Sequence, residues 1–230
     1  MFDRMKILFL DRKYRLPRVW SNQELRKFAH LFDGDVLNVS AWKDEDKEGG
    51  HYRRYFKNAR NYFISNYKAE VKGLQGFKNE FYLDLSKNLP EDYAHRFDVV
   101  FNHTTLEHIY EIKKAFQNLC NLSRDIVIII VPFLQPMHGN YGDYWRFTPL
   151  SVKNLFEENR ITLLYLSFND HRHSSIYIFA LGAKNPAKWE NKIVNQFKVQ
   201  SKKDRFDHFE SLIGCRAITN SWLYKVKRLF

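Results

Sequence analysis

Phe97-Asp98-Val99-Val100-Phe101-Asn102-His103-Thr104-Thr105-Leu106-Glu107-His108-Ile109 opens as a buried strand and runs into a helix. Phe97 to Asn102 is apolar apart from Asp98 and ends on polar residues. From Thr105 to Leu122, Leu106, Ile109, Ile112, Phe116 and Leu119 recur at helical spacing. The next run, Asp125 to Val131, is almost wholly β-branched, as a strand covered on both faces must be. Working outward, Val36 to Trp42, Tyr62 to Tyr67 and Glu80 to Leu85 read as three earlier strands. Ser21 with Glu24 three residues on predicts a capped helix start, with Leu25, Phe28, Leu31 and Phe32 on its inner face. After a polar, aromatic loop from Phe133 to Thr148, Pro149 opens a short helix. Ile161 to Phe168 and Ser174 to Leu181, joined by Asn169 to His173, suit an antiparallel hairpin. Strands alternating with helices and closing in a hairpin predict an α/β fold with a mostly parallel open sheet. Ligands of such sheets sit beyond the C-terminal ends of the strands. That directs attention to Ser40 to Trp42, Asn66 to Tyr67, Asp84 to Leu85, Asn102 to Thr105, and Pro132 onward.

The 230 residues are 44% hydrophobic, 17% aromatic and 27% charged, a globular rather than disordered composition. Two cysteines, Cys120 and Cys215, leave no disulfide framework or cysteine zinc site to build, and point to a reducing compartment. Cys120 reads as a small buried hydrophobe. The first residues hold only a four-residue apolar run, Ile7 to Leu10, and the longest run is Ile126 to Val131. The sequence therefore predicts neither a signal peptide nor a membrane span, and a cytoplasmic protein. Of the net charge of +11, +7 lies in 184–230 and only +4 in the preceding 183 residues. A near-balanced body argues against nucleic acid as a partner and directs any anionic partner to the tail. The expected organisation is an extension and helix over 1–34, an α/β domain over 35–183, and a basic amphipathic helical tail over 184–230. Trp222, Leu223, Val226, Leu229 and Phe230, interleaved with Lys225, Lys227 and Arg228, suit contact through 200–230 with a membrane surface, a protein, or the chain's own body.

The stretch from Leu83-Asp84-Leu85 to Leu106-Glu107-His108-Ile109 resembles class I S-adenosylmethionine-dependent methyltransferases. In that family the fourth strand ends near a Leu-Glu-His. Val131-Pro132-Phe133, His138 and Asp143-Tyr144-Trp145-Arg146-Phe147-Thr148-Pro149 resemble the loop after strand five in a sub-group acting on sugars and other small molecules. The resemblance covers about 35–183 and implies a Rossmann-like fold with S-adenosyl-L-methionine as cofactor. It places that cofactor against Asn38, Ser40, Trp42, Asn66, Asp84, Leu85, Asn102 and His103, with Asp84 near the adenine amine. Two departures stand out. The glycine-rich turn after the first strand is replaced by Asn38-Val39-Ser40-Ala41-Trp42, and the acid ending the second strand is replaced by Asn66. Either the charged segment from Trp42 to Arg54 rebuilds the cradle, or it is a solvated loop and cofactor binding is lost.

Methyl transfer asks the protein mainly for position, plus a base where the acceptor is a hydroxyl. His108 and His138 are the candidate bases, with Asp143 to orient His138 and Arg146 to clamp an anionic group on the acceptor. The alternatives are structural: a helix-end bond for His108, a polar loop role for His138, and packing for Tyr144, Trp145 and Phe147. No spacing among His103, His108 and His138 is diagnostic of a metal. The resemblance implies O-methylation of a sugar or other polar metabolite; together with the basic tail it gives the expectation of surface-glycan assembly, peripheral at the inner membrane surface. The competing expectation is a non-catalytic scaffold that kept the fold.

Overall fold

The computed structural model describes residues 11–68, 73–139, 141–196, 213–214 and 217–218. Most of the basic tail, including Cys215 and every residue from Trp222 on, lies outside them. Helix α1 (Arg15–Phe28) precedes strands β1 (Asp35–Val39), β2 (Asn61–Asn66), β3 (Glu80–Tyr82) and β4 (Phe97–His103). Helix α2 (Ile112–Leu122) leads into the long β5 (Ser123–Leu134). Helix α3 (Pro149–Glu158) is followed by β6 (Thr162–Phe168) and β7 (Ile176–Ala183). The strands form one seven-stranded sheet in the order β3-β2-β1-β4-β5-β7-β6. β1 to β5 run parallel, while β7 inserts antiparallel between β5 and β6. Each expected strand is present, with ends displaced by up to three residues.

Alternation along the strands sends side chains to two cores, one on each face. Leu37, Val100, Val127, Ile129 and Ile178 meet Phe116 and Leu119 of α2 and Phe156 of α3. Val36, Phe101, Ile128 and Phe179 meet Leu25 and Phe28 of α1. Cys120 is buried, and its apolar surroundings push the thiol up to about 12, as fits an inert core residue. Trp189 and Ile193 are buried in the second core, and the Trp189 indole donates to Asp125 at 2.8 Å. The segment 184–196 is therefore part of the folded domain rather than of a separate tail. Among the described residues no helix is long and apolar enough to cross a membrane.

Three local expectations are corrected. Ser21 and Glu24 do not cap α1, which already begins at Arg15. Asp11 closes the preceding turn, accepting from the Lys13 and Tyr14 N–H groups. Ser21 instead lies mid-helix and Glu24 binds Lys27, Tyr165 and Ser167. The helix expected over Thr105 to Leu122 is broken into a 3-10 turn, Leu106–His108, and α2. The Glu107 carbonyl accepts the Tyr144 and Trp145 N–H groups, and the Trp145 indole donates to the carbonyls of Ile109 and Tyr110. The loop after β5 takes the acceptors a continuous helix would use. Finally, among the described residues no α-helix stands between β1 and β4. Tyr52, Tyr55 and Phe56, in and just after a 3-10 turn (Tyr52–Arg54), cover the sheet between β1 and β2.

Candidate functional site

A cavity of about 1070 Å³ opens at the C-terminal ends of the strands. Its wall includes Ser40, Ala41 and Trp42 after β1, Asn66 and Tyr67 at β2, Leu83 to Ser86 after β3, and His103 to Thr105 at β4. Asn38, His108 and His138 also reach it. Nine of the twelve sequence-predicted site residues thus share one cavity. Asn102, Asp143 and Arg146 do not line it.

The turn from Ser40 to Lys47 has no glycine, yet Ser40, Trp42, Asp44 and Lys47 hold φ of 57°, 50°, 59° and 63°. Residues other than glycine pay for that backbone, so surrounding contacts must hold it. Two buried carboxylates do so. Asp44 accepts from Asn38 Nδ2 (2.8 Å), Tyr62 OH (2.7 Å) and the Arg53 N–H (3.1 Å). Asp46 accepts from the Glu48 and Gly50 N–H groups and from Tyr55 OH, each at 2.8 Å. Burial pushes the Asp44 carboxyl up, against these hydrogen bonds. The Asn66 amide fixes the turn from the other side. Its Oδ1 accepts the Trp42 N–H at 2.6 Å, and its Nδ2 donates to the Trp42 carbonyl and to Glu80. An aspartate there could not make both bonds to Trp42, so Asn66 and the turn after β1 depend on each other. Segment 42–54 is a built wall, not a solvated loop.

Asp84 stands where β3 ends, with Oδ1 accepting from the Ser86 N–H (2.9 Å) and hydroxyl (2.7 Å). Asn118 of α2 holds this turn through the carbonyls of Leu85 (2.8 Å) and Lys87 (2.7 Å). Asn102 is fully buried and donates to the Val39 carbonyl at 3.0 Å, pinning β1 to β4 rather than facing a ligand. His103 closes a ring of hydrogen bonds. Arg18 donates to Thr104 Oγ1 (3.0 Å), which lies 3.2 Å from His103 Nδ1. His103 Nε2 lies 2.8 Å from Ser21 Oγ, which donates to the Arg18 carbonyl at 2.9 Å. With the Ser21 proton placed there, Nε2 is the donor and Nδ1 the acceptor. Burial and the Arg18 guanidinium hold this ring neutral, well below the ordinary imidazole range.

Beside the loop after β5, His108 Nδ1 donates to the Gly142 carbonyl, leaving Nε2 unprotonated in the neutral ring. Burial lowers its pKa. Glu107, fully buried behind it, has a carboxyl pushed up to about 8 by burial, with its Oε1 3.8 Å from His108 Nε2. The His138 ring lies 5.1 Å from that of His108, and its Nδ1 is 3.4 Å from Asp143. The expected clamp is corrected. Arg146 directs all five N–H groups into the loop, to Gln135, Pro136, Trp145 and both oxygens of Asp143. Those bonds hold the Asp143 carboxyl down at about 2. Asp143 also accepts the His138 N–H at 2.8 Å, so the pair fixes the loop that carries His138. Phe147 is buried in the core, and Tyr144 is largely exposed at the cavity rim.

Sequence reasoning missed Arg18, Glu107 and Tyr177. Arg18 and Tyr177 line the cavity from α1 and β7, both placed by tertiary structure alone. Glu107 lay inside the recognised Leu-Glu-His, where only its complete burial distinguishes it.

The sheet order, the late antiparallel strand and a cavity over the strand ends define a Rossmann-like fold of the class I methyltransferase type. In sequence, no family model matches the chain and no curated protein matches it. Solved structures match in fold. A 1,6-didemethyltoxoflavin-N1-methyltransferase of Burkholderia thailandensis, with bound 1,6-didemethyltoxoflavin and S-adenosylhomocysteine, is 16% identical at a TM-score of 0.51, over 72% of this chain and 80% of that one. A magnesium protoporphyrin IX methyltransferase of Synechocystis PCC 6803, with bound S-adenosylmethionine, is 11% identical at a TM-score of 0.51, over 80% and 90%.

Proposed function

We propose that this chain is an S-adenosylmethionine-dependent methyltransferase acting on a hydroxyl of a sugar or similar small polar acceptor. One observation carries the reading: a single cavity is lined by Asp84, Leu85 and the Trp42 wall, by His108 with its Nε2 unprotonated, and by His138. The cavity is large enough for a cofactor and a small acceptor together. The residues present fit the cofactor. Asp84 and Leu85 would meet the adenine, Trp42 and Tyr67 give flat surfaces beside it, and Arg18 offers a guanidinium to a carboxylate. When bound, the cofactor would supply an electrophilic methyl group. The chain's own part is to hold the acceptor oxygen in line with it, and to activate that oxygen through the His108 imidazole rather than an anionic base. The glycan role, at the inner membrane face or elsewhere, rests on the sub-group resemblance of the loop over 131–149.

A turnover assay against a panel of sugar nucleotides and glycan precursors, read as a 14 Da mass gain, tests the proposal. Asp84→Ala is expected to weaken cofactor binding by about tenfold, one or two hydrogen bonds' worth. His108→Ala should lower kcat by about 10²-fold or more with cofactor affinity kept. Equal loss of affinity in both variants would remove the division of the cavity between cofactor and acceptor.

A further inference from the structure

Glu107, His108 and His138 each offer one ligand atom, and the three atoms lie within 4.8 Å of one another. Both Glu107 oxygens are fully buried with no hydrogen-bond partner among the described residues, and His138 Nδ1, 3.4 Å from an Asp143 oxygen, makes no hydrogen bond either. Buried polar atoms in folded proteins are nearly always satisfied, and several orphans converging on one point call for a missing partner. A proton alone does not answer this. One activated hydroxyl needs one base, whereas three Lewis bases converge here.

We propose that Glu107, His108 and His138 bind a divalent first-row transition ion at the acceptor end of the cavity. Two imidazoles and one carboxylate suit manganese, iron(II), cobalt or zinc better than magnesium or calcium, which favour all-oxygen sites. Bonds of about 2.0–2.2 Å to nitrogen and oxygen would draw the three ligand atoms to about 3–3.5 Å apart. Small side-chain rotations supply that contraction. The surroundings hold the ligands as metal-binding histidines are usually held. His108 Nδ1 donates to the Gly142 carbonyl, which turns Nε2 toward Glu107, and Asp143 anchors the backbone of His138. Gly142 has a φ of +102°, a conformation that favours glycine, and a Cβ there would come within 2.6 Å of the Tyr144 ring. His108 and His138 line the cavity while Glu107 stands behind them. Coordination positions beyond these three ligands open past the imidazoles, where an oxygen of the acceptor would bind. The last point rests on the methyltransferase reading, and the ion site itself does not.

The test uses the untagged full chain, stripped with a chelator and titrated with cobalt(II) chloride. The inference expects visible absorption bands that saturate at one equivalent, with micromolar or tighter affinity, and that zinc chloride displaces. His138→Gln removes one imidazole from a half-buried loop position and should weaken cobalt binding at least tenfold. Glu107→Gln should do the same, with circular dichroism confirming its fold. Absence of saturable bands below millimolar cobalt in the wild-type chain would overturn the inference, as would unchanged bands in a folded His138→Gln. Cobalt binding without any binding of S-adenosylmethionine would keep the ion site and remove the methyltransferase reading. The reverse result would remove the ion site alone.

Discussion

Two polar loops make up much of the cavity wall, and both are built on buried aspartates. Over 40–54, Asp44 is surrounded by neutral donors: an asparagine, a tyrosine and a backbone N–H. Over 135–148, Asp143 has a guanidinium gripping both its oxygens. The same side chain is therefore pushed in opposite directions, with the Asp44 carboxyl raised and that of Asp143 held at about 2. The first loop is a network of individually modest bonds shaping a wall. The second is a charge pair whose members depend on each other, and it carries His138.

Removing one partner separates the two designs most sharply. Asp143→Ala leaves the Arg146 guanidinium without its counter-ion, and should cost about 3 kcal/mol, a melting shift of roughly 6–12 °C. Asp44→Asn keeps the shape but turns a donor toward the Arg53 or Asn38 donor, and should cost about 1–2 kcal/mol. Thermal melts of the two variants side by side check the ranking, and a larger loss for Asp44→Asn would invert the comparison. The smallest effect belongs to His103, at the junction with β4. Its ring titrates below its unfolded value, so its contribution is present above about pH 6.5 and is lost as pH falls through the folded pKa. At pH 6 that loss is on the order of 1 kcal/mol or less. Denaturant titrations at pH 6 and 8 should show wild type losing more stability on going to pH 6 than His103→Gln does, the other titrating groups cancelling in the difference.

The sheet was legible because buried parallel strands declare themselves. Ile126 to Val131 admits no other reading, and the hairpin of β6 and β7 follows from its polar join. The helix boundaries were less legible, since Ser21 and Glu24 carry a capping pattern whose side chains are claimed by His103 and Tyr165 from far away in sequence. The same kind of competition broke the helix after β4, where Trp145 and the backbone of the loop take its carbonyls. In the site, residue types and strand ends located nine cavity residues, but not what each side chain does there. Arg146 follows an aspartate by three residues, a spacing that already permits the pair, yet only the fold shows that all five donors turn inward. Asn66 looked like a lost acid. Its amide proves to be the partner of a glycine-free turn, a relation between β1 and β2 that no local pattern encodes. The expectations for 200–230 fall almost wholly outside the described residues, and Gly214, close against Leu134, is among the few tail positions placed.

The central claim is that the glycine-free wall around Trp42 holds S-adenosylmethionine. Isothermal titration calorimetry of the full chain with S-adenosylmethionine and S-adenosylhomocysteine tests it most directly. The account predicts one site of micromolar affinity, with thermal stabilisation by either ligand. Absence of heat and of any melting shift at millimolar ligand would contradict it, and would leave a methyltransferase fold serving as a scaffold.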